Sequence, residues 1–274
     1  MTETALYYEE AGRGEAGVLV FLHGFMGNCR SLQSVMASLA RSRRCVAFDL
    51  PGHGRSRFGQ SERLQGLRTM GDAASLVLAD LDALGIGRFS LYGYSMGGRI
   101  AQNMTLLAPG RIERLILESA SFGIDDPQQR RERYLRDRNL LAGIHTKKEF
   151  AAFLDHWYRL PLFCTLPGTP HLPQIIREKQ RNSIAELRQA LGILSVGNHP
   201  SFAGRLASLG FPIHFFCGGE DEAYVEIGRD IRRRFPELVI REFPGASHDI
   251  HSQFPEKIVD AMLEIISPNE NGEK

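Results

Sequence analysis

The chain contains 274 residues, of which 43% are hydrophobic and 24% charged, and its 33 basic and 32 acidic residues give a net charge of +1. This balance is typical of a globular protein with a large core and argues against a general nucleic-acid or membrane-surface binder. No apolar run reaches the ~20 residues that span a bilayer, and residues 1–17 lack the hydrophobic stretch of a signal peptide.

Between Leu6 and Ser121, short apolar runs alternate with helical patterns, which predicts a mostly parallel, doubly wound α/β sheet. In chain order we predict an edge strand at 6–9, a strand at 17–22, a helix at 32–40, a strand at 45–49, a helix at 73–84, a strand at 88–92, a helix at 96–107 and a strand at 114–118. The alternation resumes with a strand at 212–217, a helix at 223–235, a strand at 238–243 and a helix at 254–266. The polar tail 267–274 is expected to be frayed.

The stretch 122–205 interrupts this alternation, because it has helical spacing, many arginines and aromatics, and no strand-like run. We predict that residues 122–205 form a helical cap over the carboxyl edge of a core built from residues 1–121 and 206–274, where open α/β sheets place their sites. The cap carries 13 basic and 8 acidic residues, whereas the rest carries 20 and 24. A basic cap is suited to a small anionic substrate.

A G-x-S-x-G motif, Gly93-Tyr-Ser95-Met-Gly97, lies between a predicted strand and a predicted helix. In that context it predicts a nucleophile elbow, in which two glycines permit a tight turn and the serine is exposed at the helix N-terminus. The backbone N–H of Met96 can then stabilise an oxyanion, supported by the helix dipole. The sequence therefore predicts Ser95 as the reactive residue.

An acid and a histidine follow the serine in the chain order that this motif requires. Asp221 comes after the strand at 212–217 in a G-x-x-D spacing, and His248 comes after the strand at 238–243. Together they predict a Ser-His-Asp triad, with Asp221 orienting the imidazole that accepts the Ser95 proton. The competing candidates are Glu220 and Glu222 for the acid and His251 for the base, and His251 would otherwise bind substrate or cap a helix.

Three other histidines have structural interpretations. His23 lies where the oxyanion loop of such an enzyme begins and is expected to shape that loop, while the N–H of Phe25 is the second oxyanion donor by its position in the motif. His53 is interpreted as a turn residue, and His156 as a histidine on the cap surface or in its groove.

No cofactor or metal motif is present in the sequence. Gly93-x-x-x-Gly97-Gly98 is neither a dinucleotide fingerprint nor a phosphate-binding loop, and no H-x-x-x-H spacing occurs. We therefore expect chemistry by side chains and backbone alone, with no cofactor and no metal. The four dispersed cysteines predict reduced thiols in a cytoplasmic protein. They are Cys29, Cys45, Cys164 and Cys217.

From Leu6 to Ile266 the sequence is similar to α/β-hydrolases, and several segments together resemble one subfamily. That subfamily is the 2-succinyl-6-hydroxy-2,4-cyclohexadiene-1-carboxylate synthases of menaquinone or phylloquinone biosynthesis. The segments that carry the resemblance are Leu22-His-Gly-Phe-Met-Gly27, Asp49-Leu-Pro-Gly-His-Gly54, Gly93-Tyr-Ser-Met-Gly-Gly-Arg99, Leu117-Glu-Ser-Ala-Ser121, Arg130-Arg-Glu-Arg133, Arg136-Asp137 and Phe153-x-x-x-Trp157-Tyr-x-x-Pro-Leu-Phe163.

The resemblance implies a lyase that eliminates pyruvate from 2-succinyl-5-enolpyruvyl-6-hydroxy-3-cyclohexene-1-carboxylate without hydrolysis. It also implies that Tyr94, Arg99, Arg133 and Trp157 bind this tricarboxylate. Arg99 is one helical turn after Ser95 and so projects from the same face. The alternatives are a solvated Arg99, a different arginine of the cap one turn from Arg133, a Tyr94 buried in the elbow, and a Trp157 that belongs to the cap core.

Two positions depart from the subfamily pattern. Phe122-Gly123 stands where Pro-Gly is often found, and Glu222 follows the acid where a basic residue sometimes occurs. Both leave the substrate selectivity of the cap open. The alternative functions are a carboxylester or carbon–carbon bond hydrolase with the same triad, and a non-catalytic ligand-binding protein.

Overall fold

The computed structural model describes residues 3–267, so the predicted fraying of the tail after Ser267 lies outside the described residues. The described strands form a seven-stranded sheet in the spatial order β1-β3-β2-β4-β5-β6-β7, in which β1 alone is antiparallel to its neighbour. This confirms the predicted mostly parallel, doubly wound sheet. The strands are β1 Tyr8–Glu15, β2 Val18–Leu22, β3 Arg43–Phe48, β4 Phe89–Tyr94, β5 Ile112–Glu118, β6 Ile213–Gly218 and β7 Val239–Phe243.

Both faces of the sheet are covered by helices. Leu19 and Phe21 of β2 pack in one apolar cluster with α1 and α12, and Val20 and Leu22 pack in another with α3, α4 and α10. This alternation explains why the central strands are continuous apolar runs. The helices are α1 Gln33–Leu39, α2 Glu62–Gln65, α3 Met70–Ala83, α4 Met96–Leu107, α5 Pro127–Asn139, α6 Lys147–Trp157, α7 Leu172–Lys179, α8 Ile184–Leu194, α9 Ala203–Ala207, α10 Glu222–Arg234, α11 Ile250–Gln253 and α12 Pro255–Ile266.

The first strand differs from its prediction, since it runs from Tyr8 to Glu15 rather than over residues 6–9. Its pairing with β3 is irregular between Ala11 and Glu15, and Gly12 has a positive φ of 76°. A Cβ on Gly14 would lie 1.9 Å from the carbonyl oxygen of Ser42, so only glycine permits this approach. Gly12 and Gly14 therefore allow the strand to continue beyond Glu9, where the predicted strand ends.

Helices α5 to α8 lie between β5 and β6. Helices α6 to α8 share a third apolar cluster with Leu141, which follows α5, and this cluster includes Phe150, Leu154 and Leu187. Met26, from the loop after β2, packs in the same cluster and so connects these helices to the carboxyl edge of the sheet. Helix α9 packs instead against the main core through Ala203 and Leu206. All four cysteines are free, and no described helix is long and apolar enough to cross a membrane.

The packing of α4 on β2 generates a first prediction. A Cβ on Gly97 would lie 2.3 Å from the Leu22 carbonyl oxygen and 2.5 Å from that of His23, both backbone atoms. Gly97→Ala should therefore lower the free energy of unfolding by about 1–3 kcal/mol, as overpacking does. Urea denaturation measures this change.

Gly192→Ala is the matched control, because Gly192 is also helical and has open space around its Cβ position. It should leave stability unchanged or raise it by about 0.5–1 kcal/mol. Equal destabilisation by the two substitutions would contradict the close approach of α4 to β2.

Candidate active site

Ser95 lies at the sharp turn between β4 and α4, with φ 50° and ψ −109°. A positive φ in a residue other than glycine costs about 1–3 kcal/mol, so the surroundings must hold it in place. The Ser95 backbone N–H donates to the carbonyl of Glu118 at 2.8 Å, and Gly93 leaves space for the helix backbone at Gly98. The turn therefore presents the Ser95 side chain at the carboxyl edge of the sheet.

Ser95, His248 and Asp221 form one hydrogen-bonded chain. His248 Nε2 lies 3.0 Å from Ser95 Oγ, and His248 Nδ1 lies 2.8 Å from Asp221 Oδ2. His248 and Asp221 are only 3% and 2% exposed, which strengthens their interaction by excluding water. Because Asp221 accepts from Nδ1–H, Nε2 is free to accept the Ser95 proton.

The alternative triad candidates are placed elsewhere. Glu220 and Glu222 are exposed, whereas Asp221 caps α10 and also accepts the N–H of Tyr224. His251 is buried behind His248 and contacts Glu118 instead of Ser95. The geometry therefore favours His248 as the base and Asp221 as the acid.

Phe25 and Met96 line the same cavity as Ser95, because Phe25 follows β2 and Met96 follows β4, which are neighbours in the sheet. His23 shapes the loop before Phe25: its Nε2 accepts the Leu50 N–H at 2.9 Å, so its Nδ1–H donates to the Gly24 carbonyl at 2.7 Å. Burial lowers the pKa of His23 well below its usual value and keeps the ring neutral, as these two roles require.

A cavity of about 110 Å³ opens above Ser95 between the sheet edge and helices α5 to α8. Asp221 is the one predicted site residue outside its lining, because it lies behind His248. The predicted residues that line the cavity are Phe25, Tyr94, Ser95, Met96, Arg99, Arg133, Trp157 and His248.

Aromatic rings surround His248. The rings of Tyr224, Tyr94 and Phe163 have centroids 4.6, 5.5 and 5.7 Å from the imidazole. Trp157 packs 6.0 Å from Phe163 and also faces the cavity, so it belongs both to the aromatic cluster of the cap and to the site. These contacts restrict the imidazole to the orientation in which it meets Ser95.

The segment after Trp157 is bonded to the loop that carries His248. The His248 N–H donates to the Leu162 carbonyl at 3.1 Å. The hydroxyls of Thr165 and Ser247 are hydrogen-bonded at 2.8 Å, and Gln253 donates to Thr165 at 2.6 Å. This part of the helical insertion is therefore fixed to the edge of the catalytic loop.

Cationic side chains reach the cavity from both sides. Arg99 is 8% exposed, and its Nε has no hydrogen-bond partner within residues 3–267. Because Arg99 is buried, it does not lie on a solvated helix face. Burial also lowers its pKa to about 10, which leaves the side chain charged at neutral pH. Arg133 Nε lies 2.7 Å from Asp137 Oδ1, and Asp137 accepts from Ser195 at 2.7 Å.

Lys179 is a cavity residue that the sequence analysis missed. It ends α7, is 7% exposed, and lines the same cavity as Ser95. Burial lowers its pKa, while Asp249 favours its charge. The signal was present, because Leu172, Ile175, Ile176 and Lys179 have the spacing of one helix face, and a lysine on an apolar face is directed inward.

The comparisons with known proteins agree with this geometry. The family model described as alpha/beta hydrolase fold matches residues 17–255. The chain belongs to the α/β-hydrolase family. The matched residues include the turn at Ser95 and the helices before β6.

Relatives within the α/β-hydrolase family confirm the resemblance to the synthases. A Bacillus subtilis protein provisionally named 2-succinyl-6-hydroxy-2,4-cyclohexadiene-1-carboxylate synthase is 30% identical, covering 93% of each chain. The synthase of that name from Escherichia coli O1:K1 is 27% identical, covering 95% of this chain and 99% of its own. The structure of MenH from S. aureus is 27% identical with a TM-score of 0.83, covering 96% and 99%.

The buried histidines next to the oxyanion loop generate a prediction on pH. His53 lies in the turn after β3, is 1% exposed, and its ring packs 5.7 Å from that of Phe25. Burial lowers the pKa of His53 to about 4. The unfolded chain takes up a proton near pH 6.5 while the folded chain does so only near 4. As the pH is lowered from 6.5 toward 4, the free energy of unfolding should therefore decrease, by about 1.4 kcal/mol per pH unit for His53.

Urea denaturation between pH 7 and 4.5 measures this slope. His53→Gln should make the slope shallower by one proton. His156→Gln, which removes an exposed histidine, should leave it unchanged. An unaltered slope in His53→Gln would show that this ring is already protonated in the folded protein.

Proposed function

We propose that this protein eliminates pyruvate from 2-succinyl-5-enolpyruvyl-6-hydroxy-3-cyclohexene-1-carboxylate to give 2-succinyl-6-hydroxy-2,4-cyclohexadiene-1-carboxylate. The observation that carries the proposal is the set of three cations, Arg99, Arg133 and Lys179, around a cavity that contains Ser95 and His248. The substrate has three carboxylates and requires such a set, whereas hydrolysis of a neutral ester does not. The synthase names of the relatives support the same reaction.

Arg99 is the strongest of these anion contacts. A buried guanidinium with a free N–H is unfavourable unless a ligand pairs with it, and a carboxylate can do so in a bidentate manner. Asp137 fixes the side chain of Arg133 and leaves its other donors for a second carboxylate. Lys179 supplies a compact charge for the third.

The triad would act in this reaction as a base. His248, oriented by Asp221, draws the proton from Ser95 Oγ, and the serine oxygen removes a proton from the substrate ring. The electron pair of that C–H bond forms the new ring double bond, and the ring C–O bond breaks with its electron pair going to oxygen. The enolate of pyruvate that leaves takes the proton held by His248 onto its methylene carbon and becomes pyruvate, which returns the triad to its starting state. No bond forms between Ser95 and the substrate.

The amides of Phe25 and Met96 would stabilise the charge that develops during proton removal. Both residues line the cavity beside Ser95. Their N–H groups are fixed by the loop and by the start of α4, so they can hold an enolate oxygen without reorganising. This is the same electrostatic device by which esterases hold a tetrahedral intermediate, applied to an elimination.

The cavity also constrains how substrate enters. Its volume of about 110 Å³ is below the ~300 Å³ at which small-molecule pockets usually begin. Substrate binding would therefore require this cavity to widen.

A pyruvate-release assay tests the proposal directly. The protein should release pyruvate from the enolpyruvyl substrate, and Ser95→Ala should lower kcat/KM by about 10³-fold or more, since the base is lost. Ser34→Ala, at an exposed position, should retain activity.

Two results would favour the hydrolase alternative instead. One is turnover of simple aryl esters with no pyruvate release, and the other is an acyl-enzyme on Ser95 detected by mass spectrometry with the native substrate. Full biological function of Ser95→Ala would favour the ligand-binding alternative.

The cations generate a separate prediction. Arg99→Gln and Arg133→Gln should each raise KM by about 10- to 100-fold, because each removes a charge-assisted contact to a carboxylate. Arg131→Gln is the matched control, since Arg131 is exposed on the same helix as Arg133 and does not line the cavity. Steady-state pyruvate release measures the three KM values, and equal values for Arg131→Gln and Arg133→Gln would contradict the assignment.

A further inference from the structure

A second group of charged side chains lies directly behind the triad. It consists of Glu118, at the end of β5, and Asp249 and His251, just after His248. These three residues are 0%, 3% and 3% exposed. The proposed chemistry uses none of them, so their burial needs another explanation, because uncompensated buried charges are strongly unfavourable.

Glu118 connects the two halves of the active site. Its Oε1 accepts the N–H groups of Ile250 at 2.7 Å and of His251 at 3.1 Å, and its Oε2 accepts the hydroxyl of Tyr92. Its backbone carbonyl accepts the Ser95 N–H. One residue therefore holds both the turn that carries the serine and the loop that carries the base.

His251 is held between two carboxylates. Its Nδ1 lies 3.0 Å from Glu118, and its Nε2 lies 3.2 Å from Asp249 Oδ1. The contact with Asp249 is an ion-pair contact rather than a hydrogen bond, because Asp249 Oδ1 has no aligned donor within residues 3–267. Two carboxylates this close to the ring favour the imidazolium. Burial acts against this charge, but Glu118 and Asp249 outweigh burial and raise the pKa of His251.

The other groups near His251 lie on β4 and α7, and a surface cavity that His251 also lines contains Arg30, His171 and Glu178. The ring of Tyr94, on β4, packs edge-on at 4.6 Å from His251 and at 5.5 Å from His248, and so lies against both imidazoles. Lys179, on α7, acts against the charge of His251. Tyr92 reaches the cluster through Glu118.

Hydrogen bonding accounts for this cluster better than a metal ion does. The donor atoms of the three residues lie within 4.8 Å of one another, a spacing that would permit a metal. However, backbone amides and Tyr92 already occupy the Glu118 oxygens, and the ammonium of Lys179 is close. These contacts fit an ion pair built to hold a loop.

We propose that Glu118 and His251 are positioning residues that hold His248 toward Ser95 and, with Asp249, set the pH range in which His248 is an effective base. The inference rests on the proposed function only in taking His248 as the base of the reaction. Glu118, Asp249 and His251 together carry a net charge of −1, whereas the nearby Lys179 and Asp221 are the same in every variant compared. Any substitution that changes this net charge should move the titration of His248 in a predictable direction.

The direction in which each substitution shifts the titration midpoint of His248 follows from these charges. His251→Gln leaves two carboxylates without their cation, which favours the protonated form of His248. Its titration midpoint should rise by about 0.5–1 pH unit. Adding Asp249→Asn restores one net negative charge and should return the midpoint to within about 0.2 unit of the original protein. Asp249→Asn alone, with Glu118 still paired to His251, should lower it.

Titration of the His248 ring by NMR tests these shifts without any substrate, in the full-length protein. His156→Gln, at the exposed cap surface, is the control and should leave the midpoint unchanged. An unchanged midpoint in His251→Gln, or no reversal by Asp249→Asn, would overturn the inference. If His251→Gln does not fold, the inference is tested by Asp249→Asn alone: a lowered His248 midpoint supports it, and an unchanged midpoint overturns it.

Kinetics add a readout that loss of stability would not give. His251→Gln should lower kcat for pyruvate release about 10- to 100-fold with less than about a twofold change in KM, because His251 does not line the Ser95 cavity. Glu118→Gln, which keeps an oxygen for the two amides, should retain more kcat than Glu118→Ala.

The two measurements distinguish the two proposals. If the NMR shifts occur without any pyruvate release, the proposed reaction is wrong and the positioning role stands. Pyruvate release with no NMR shift would support the proposed reaction and overturn the positioning role.

Discussion

The backbone of Ser95 is the constraint on which the rest of the site depends. Its positive φ is unfavourable for a serine and persists because glycines let α4 approach the sheet and because the Glu118 carbonyl holds the Ser95 amide. This turn fixes where the oxygen emerges, and the strand order then determines the partners: β2 brings the loop with Phe25, and β6 brings Asp221. The order of the strands in the folded sheet therefore brings the residues of the site together.

The positive charge of the site comes from buried cations at one cavity and not from the net charge of the chain. The chain is almost neutral overall, yet Arg99 and Lys179 are buried cations at one cavity, and Arg99 has a free N–H among the described residues. His23 and His53 nearby are kept neutral by burial, so the positive potential at the cavity comes from the arginines and Lys179 rather than from these histidines.

Much of this could be predicted from the sequence because the signals are local. Apolar runs identified the parallel strands, and G-x-S-x-G with an acid and a histidine after later strands indicated the three residues that the structure brings together. The rest depends on packing between distant segments. The extension of β1 relies on glycines opposite Ser42, and Glu118 meets His251 only across the sheet edge. The spacing of α7 indicates that Lys179 is directed inward, but the cavity that it reaches is formed only when α7 packs beside Ser95.

The bonds from Leu162 and Thr165 to the loop of His248 have an evolutionary consequence. An inserted domain that merely covers a site can be replaced by another of similar size, and its ligand preference changes while the chemistry remains. Here the insertion supplies hydrogen-bond partners to the segment that carries the base. A transplanted insertion lacking a carbonyl equivalent to that of Leu162 would alter reactivity as well as selectivity, so the two properties are expected to diversify together.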